Sequence, residues 1–507
     1  MFIKENFFSP RFLPIAIFTC LFLAVIFFID KVLLVGIIFL AFLTAITFLI
    51  FKKIGFKTKT IYTLFLIALL IHTGMVLFIY YAHFQPFSGG AGDYSEYDAL
   101  AQQISGRIHQ GNFSYQGLDI PHYYPVIIGY VYALTLPQVL IGQMFNAWLV
   151  ALLVIFVYLI IMEIGGSEKD GFFGGLIVSI YPSLLFFGSL ELKDVLVVLL
   201  CTIVLLSILK VLRAFSLPKF LVLYAFLLAL THFRAYIATA AVLAFIISWF
   251  LFSNIKIKKR LVYGIIFIFL LGFLPYFSGG QGSGQGYYGI NFLKLFLDPK
   301  MITHYREYVA IPNPEISPVS GLPVYDEPPG TVLPSITLEP SSAGKPSSAG
   351  KPSYDQTSDS SDRPITRGRG SSIVIKTGFG NPFTFLENSL IAFTYASLGP
   401  FPWQMRYLRH LLILPETILW YFALFFIIKG VIKFIKSRYK TIVPLIIFSI
   451  IILGALSLYM TNFGIATRIR MPAFVALFCL TPFGINWASN NKIIKIFSKS
   501  LDALMKI

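Results

Sequence analysis

Residues 123–137 read YYPVIIGYVYALTLP, an apolar run that decides how the rest of the chain is threaded. As a helix its fifteen residues cover about 22 Å, short of a hydrocarbon core of about 30 Å. Counting charges settles its fate. If this run crossed a membrane, every later Lys- and Arg-rich loop would be forced to the outer side, against the rule that basic loops stay inside. If it stays on the outer side, residues 141–163 run inward, 171–189 run outward, and the basic loops fall inside one after another.

Composition calls for such threading. Of the 507 residues 57% are hydrophobic and 12% charged, and mean hydropathy is +0.79. Apolar runs recur along nearly the whole chain, so the fold class is an all-α polytopic integral membrane protein. The net charge of +17 sits in short basic loops, which makes it a topology signal and no reason to expect nucleic acid. Cys20, Cys201 and Cys479 lie in apolar runs without metal-ligand spacing and read as packing residues. The first run has no small-residue cleavage site after it and reads as a span. Counting outward from 123–137, spans are expected at 12–29, 32–51, 60–82, 141–163, 171–189, 195–212, 218–233, 235–253, 260–277, 410–428, 441–460 and 471–488. That makes about twelve, with both termini cytoplasmic.

Four regions follow. Residues 1–59 form an N-terminal hairpin and basic loop. Residues 60–278 form a membrane core with an external loop at 83–140. Residues 279–409 form a long external segment, and 410–507 hold the last helices and a basic tail. The external segment opens Gly-rich, allows a short helix near Asn291–Tyr308, and becomes Pro/Ser-rich with PSSAGKPSSAGKPS at 340–353. Residues 311–370 therefore read as a disordered linker, while the aromatics of 380–408 belong at the outer interface.

The chemistry-bearing stretch lies just before residue 123. Gly92–Pro125 is a polar island containing Asp93, Glu96, Asp98, Arg107, His109, Asp119 and His122. Tyr97, Leu100 and Ile104 recur at helical spacing, predicting an amphipathic helix over 95–106 on the membrane surface. Asp93 sits just before it, after the turn-permitting Gly89, Gly90 and Gly92. Asp93 reads either as a catalytic carboxylate or as a helix cap; Glu96 is a second carboxylate or a solvated face residue. His122 reads as a substrate contact or a neutral interfacial histidine.

Several cations fall on the outer side once the basic loops are inside: Lys193 in SLELKD, Arg234 in THFRAY, Arg406, Arg409, and Arg468 with Arg470 in TRIRMP. Each alone is explained by snorkelling to lipid. Together at one depth they suit a lipid-linked phosphate, which guanidinium groups bind by paired hydrogen bonds. Asp194 is explained by an ion pair with a neighbouring cation.

Asp93-x-x-x-Tyr97 in a first external loop is followed by Ala99 and Ala101. Gly111 comes next, then the aromatic-Pro step Tyr123-Tyr124-Pro125, Tyr181-Pro182 leading to Lys193-Asp194, Arg234 opening a span, and the final RIRMP. In order and membrane side this pattern resembles the GT-C membrane glycosyltransferases. The nearest branch is the bacterial one related to dolichyl-phosphate-mannose protein mannosyltransferases and aminoarabinose transferases. The resemblance spans about residues 60–270 and 405–490. It implies a polyprenyl-phosphate-linked sugar donor, inversion at the sugar, and Asp93 as the base that deprotonates an acceptor hydroxyl on a glycan, lipid or protein. Many relatives carry Asp-Glu where this chain has Asp93-Tyr94, so a second carboxylate would have to be Glu96 or be absent.

The catalytic candidates are thus Asp93 and Glu96. The substrate-binding candidates are Tyr97, Arg107, His122, Lys193, Asp194, Arg234, Arg468 and Arg470. No His/Asp/Glu cluster asks for a metal, and no cofactor is expected. A polymerase or ligase of surface-polysaccharide units would use similar lipid-linked substrates. A transporter or flippase fits less well, because internal repeats and mid-span charges are not evident.

Overall fold

The computed structural model describes residues 28, 30–56, 58–84, 93–278, 297–303, 315–316, 323–324, 376–401, 413–437, 439–459 and 463–487. The expected first span at 12–29 (save residue 28), Gly89, Gly90 and Gly92, nearly all of the 311–370 linker, Arg406, Arg409 and the basic tail lie outside these residues.

The helices are α1 Lys31–Ile54, α2 Lys59–Tyr81, α3 Asp93–His109, α4 Tyr124–Leu134, α5 Val139–Glu163, α6 Glu168–Ser179, α7 Pro182–Phe187, α8 Asp194–Arg213 and α9 Leu217–Phe233. They continue with α10 Ala235–Phe252, α11 Ile257–Leu271, α12 Leu274–Ser278, α13 Pro299–Thr303, α14 Pro382–Leu398, α15 Leu414–Ser437, α16 Tyr439–Tyr459, α17 Phe463–Phe478 and α18 Thr481–Trp487. Residues 315–316 and 323–324 form a two-residue antiparallel ladder. Among the described residues eight helical segments are long and apolar enough to cross a membrane: α1, α2, α5, α8, α10, Ile257–Phe277, α15 and α16. The chain is an α-helical multi-pass membrane protein.

Two stretches that read as single spans are broken helices. Residues 171–189 divide into α6 and α7 at Ile180–Tyr181, because Pro182 disfavours helical geometry at Tyr181, whose ψ is 117°. Residues 471–488 divide between α17 and α18 at Cys479–Leu480. The run at 123–137 forms only the eleven-residue α4, about 16 Å long.

Helices α5 and α8 form the centre: 78% and 83% of their apolar windows are enclosed, against 17% for α1 at the periphery. Glycines let neighbours close in. A Cβ on Gly171 or Gly174 would strike Tyr158 or Ile161 of α5, and one on Gly175 would strike Leu64 of α2. Small residues thus bring α6 against both helices, as helix packing in lipid requires. Gly484 of α18 lies equally close to the Phe426 carbonyl of α15.

Polar contacts mark the two ends of the bundle. At one end Thr60 donates to Glu168 at 3.3 Å, Arg213 pairs with Glu163 at 3.2 Å, and Arg260 donates to the carbonyls of Phe250 and Ile255, both at 3.2 Å. At the other, Asp30 caps α1 by accepting from the N–H groups of Val32 and Leu33 at 2.8 and 3.1 Å. Asp30 also accepts from the Tyr81 hydroxyl at 2.5 Å. That second end carries α3 and α4. Tyr94, Tyr97 and Ala101 of α3 pack with Tyr124, Ile128, Val131 and Tyr132 of α4 and with Leu190 and Leu192 of the α7–α8 connector, and Ile104 lies against Gly129 of α4.

Candidate functional site

The site forms where four distant pieces of chain meet. Asp194 is the first residue of α8 and is buried, with 3% of its side chain exposed. Its Oδ1 accepts from Arg234 Nη2 at 2.6 Å. Its Oδ2 accepts from Arg468 Nε at 2.9 Å and Nη2 at 2.7 Å. Arg234 reaches it because the chain leaves α9 there and re-enters α10, with Arg234 extended at φ −153°, ψ 87°. Arg234 Nη1 also donates to the Tyr236 hydroxyl at 2.5 Å. Arg468, on α17, lies 5.9 Å from the Phe187 ring centroid at the end of α7.

Arg468 Nη2 donates as well to Asp93 Oδ2 at 2.9 Å. Asp93 opens α3 instead of preceding it, and half of its side chain is exposed. The two carboxylates therefore differ in kind. Asp194 is saturated and buried, and it fixes the direction of both guanidinium groups. Asp93 is half exposed, and among the described residues only its Oδ2 is engaged by a side chain.

The electrostatics follow. Burial alone would raise the Asp93 carboxyl, but the Arg468 hydrogen bond and charge, backed by Lys193 and Arg234, hold it below the usual carboxylate range. Lys193 is pushed down to about 8 by burial and by the neighbouring Arg234, against the pull of Asp194 and Asp93. With Lys193, Arg234 and Arg468 set against Asp93 and Asp194, the group carries three positive and two negative charges, a net +1. That surplus suits an anion.

Tyr97 is buried under this group, its hydroxyl pushed well up by burial and by the Asp93 and Asp194 charges. The His122 ring meets Tyr97 edge-on at 4.8 Å. Burial and then the Lys193 charge lower His122 to about 3, so it is neutral; its Nδ1 accepts from the Tyr124 N–H at 3.4 Å.

The other expected site residues are placed elsewhere. Glu96 lies on the exposed face of α3. Arg107 donates to the carbonyls of Ser114 and Gln116 at 3.1 and 2.9 Å, closing the loop that follows α3. Arg470, two residues beyond Arg468, points away into the bundle with 2% of its side chain exposed. It pairs with Glu416 Oε1 at 2.6 Å and donates to the Gly399 carbonyl at 2.6 Å. The hydroxyls of Tyr181 (3.2 Å) and Ser183 donate to the same carboxylate. Arg470 thus ties α7, α14, α15 and α17 together, with its charge already neutralised. Two residues on a helix are about 200° apart in azimuth, so Arg468 and Arg470 could not share one site. Asp194 finds its partners in Arg234 and Arg468, not simply in adjacent Lys193.

Several polar residues escaped the sequence reading. Glu416 is a lone acid in the apolar LPETILW, and its proper signal was the need of some buried cation for a partner. His232 accepts from the Tyr123 N–H at 3.0 Å and stacks on that ring at 4.2 Å. Tyr132 and Glu191 form a buried contact, hydroxyl to carboxyl, at 2.7 Å. Comparison with family models, with curated proteins and with solved structures gives no match.

Proposed function

We propose that this protein is a membrane glycosyltransferase that moves a sugar from a polyprenyl-phosphate-linked donor to an acceptor hydroxyl on a glycan, lipid or protein. The observation that carries this reading is the shared arginine: Arg468 bridges a half-exposed carboxylate, Asp93, and a buried one, Asp194, beside Arg234 and Lys193. A sugar phosphodiester carries one negative charge, which the net +1 of the group offsets. The acceptor oxygen attacks the anomeric carbon, the bond from that carbon to the phosphate oxygen breaks, and the acceptor proton passes to Asp93. The departing polyprenyl phosphate gains a second negative charge, which Arg468, Arg234 and Lys193 stabilise as it builds. No acid is needed at this leaving group.

Asp93 held by Arg468 is a weak base. An arriving phosphate competes for Arg468, and as the guanidinium turns to it the Asp93 carboxyl recovers basicity. Base strength is thereby tied to occupancy by donor.

Twelve crossings, cytoplasmic termini and an active site on the external face of the cytoplasmic membrane complete the reading. What supports the side is that Asp93, Lys193, Arg234 and Arg468, all assigned outside by charge counting, lie together. The test is purified protein in vesicles with a polyprenyl-phosphate sugar, alongside mass analysis of cell-surface glycans with and without the protein. Sugar transfer, and loss of a matching glycan mass, is the expected result. Unchanged glycans with no binding of polyprenyl phosphate in vesicles defeat it.

A further inference from the structure

The Tyr132 hydroxyl lies 2.7 Å from Asp98 Oδ1 and 2.7 Å from Glu191 Oε2. A phenol has one proton and can donate to only one of them. Were both carboxylates ionised, the other contact would set two oxygen lone pairs together with no proton between. One carboxyl must therefore hold a proton and donate it to the Tyr132 oxygen.

The surroundings choose which. Asp98 is half-buried, and its second oxygen accepts from the Gln102 amide at 2.9 Å, a contact that suits an anion. Glu191 is fully buried, and its Oε1 has no hydrogen-bond partner among the described residues. An ionised Glu191 would place charge on a buried oxygen with nothing among the described residues to satisfy it, which strongly disfavours the ionised form. Nor can the side chain swing out. The Leu190 and Leu192 carbonyls on either side accept from the Asn146 amide at 2.7 and 3.0 Å. The carboxyl itself rests on Gly142 of α5, where a Cβ would collide with it.

We propose that Glu191 is a neutral carboxylic acid, and that its proton, through the Tyr132 hydroxyl to Asp98, latches α3, the helix carrying Asp93, to the central bundle. Glu191 donates to Tyr132, Tyr132 donates to Asp98, and the chain of donors runs from α5's flank to the outer helix pair. The titratable groups facing Glu191 are Tyr132, Asp98 and Tyr124, whose hydroxyl donates to Asn146 at 3.0 Å. No cation among them compensates an ionised Glu191. Burial, with the Asp98 charge adding to it against the Tyr132 hydrogen bond, raises the Glu191 carboxyl well above its ordinary value. The sign follows: the latch's contribution is complete below the pKa of an unfolded glutamate and is lost as pH rises toward the raised folded value. Glu191 is a positioning residue, and the latch exists whatever reaction Asp93 serves.

Infrared spectroscopy of the full-length protein in vesicles tests it directly. A protonated carboxyl absorption is expected at neutral pH that shifts when glutamate is carbon-13 labelled and is absent in Glu191→Gln. In Asp98→Asn the neighbouring anion is gone and an amide can donate to Tyr132, so the band should vanish at lower pH than in the wild type. Thermal stability of the wild type should fall with rising pH across that window, while Glu191→Gln stays flat. A merely packed Glu191 would show none of this coupling. The proposal is overturned if the labelled protein shows no shifted carboxyl band at neutral pH, or if the band survives in Glu191→Gln and disappears in Asp98→Asn. If Glu191→Gln fails to fold, a shift of the labelled glutamate band to lower pH in Asp98→Asn assigns it to Glu191, and a band unmoved by that variant overturns the proposal.

Discussion

Arg468 Nη2 stands 2.9 Å from Asp93 Oδ2 across 375 residues of chain, while the same nitrogen lies 2.7 Å from Asp194 Oδ2. One guanidinium thus serves a half-exposed carboxylate and a buried one at once. It is anchored by the second and available to be drawn from the first.

If Asp93 takes the acceptor proton, Asp93→Asn keeps the side chain's size and should lower turnover by roughly 100- to 10,000-fold, with binding of the polyprenyl-phosphate donor little changed. Single-turnover rates with donor titration measure both. Retained turnover with a lowered melting temperature would reduce Asp93 to a helix-end residue.

Removing the arginine should act in two ways. Arg468→Gln weakens donor binding, since phosphate loses a charge-assisted partner. It also releases Asp93 from the charge that depresses it. The free-enzyme acid limb, which in the wild type lies below the usual carboxylate range, should move to higher pH. A pH profile of kcat/KM reads this, and an unmoved limb would show that Arg468 does not govern Asp93.

Lys193 supplies an alkaline limb. Its ammonium is pushed down to about 8, so as pH rises through that value in the empty site a positive charge is lost and donor affinity should decline. Lys193→Arg, charged throughout, should flatten the decline. Isothermal titration of polyprenyl phosphate at pH 7 and pH 9 compares the two.

Arg470 belongs to the fold. Arg470→Ala leaves Glu416 buried and uncompensated, and breaking such a pair costs about 3–5 kcal/mol. Thermal unfolding in detergent should show a large loss, and Glu416→Gln a related one. Donor affinity per folded molecule should stay near wild type. A variant with normal stability and tenfold weaker donor binding would return Arg470 to the site.

The threading has its own check. Cysteines introduced at Thr58, Gly166, Ile257 and Ser437 should resist a membrane-impermeant thiol reagent in intact cells, while those at Asn112 and Gly350 should react. Labelling at 166 or 257 would mean that 123–137 crosses.

Much of this was legible because lipid imposes simple demands: backbone groups must be paired internally and charges must sit at ends. Those demands reveal the eight long apolar helical segments among the described residues, the short α4, and the gathering of Lys193, Arg234 and Arg468, but not the breaks inside 171–189 and 471–488. They do not reveal side-chain direction. Arg468 and Arg470 look alike in TRIRMP, and only the helical turn between them sends one to Asp194 and the other to Glu416. Arg107 looked like a ligand because it sits among acids, yet nearby carbonyls claim it. Residues 171–189 read as one span although Tyr181-Pro182 lies within them, and the break turns Tyr181 toward Glu416, 235 residues away. Glu191 stood in a quoted motif unnoticed, since a buried acid declares itself only through what surrounds it.

The long reach of Arg468 also has a bearing on biogenesis. During synthesis α3, α8 and α9 emerge well before α17, so for most of translation Asp194 has Arg234 alone and Asp93 has no guanidinium. The site closes only when α17 is laid against α8. Until then Lys193 and Arg234 balance Asp93 and Asp194 one for one, and the surplus positive charge of the finished site arrives only with α17, among the last helices to be made.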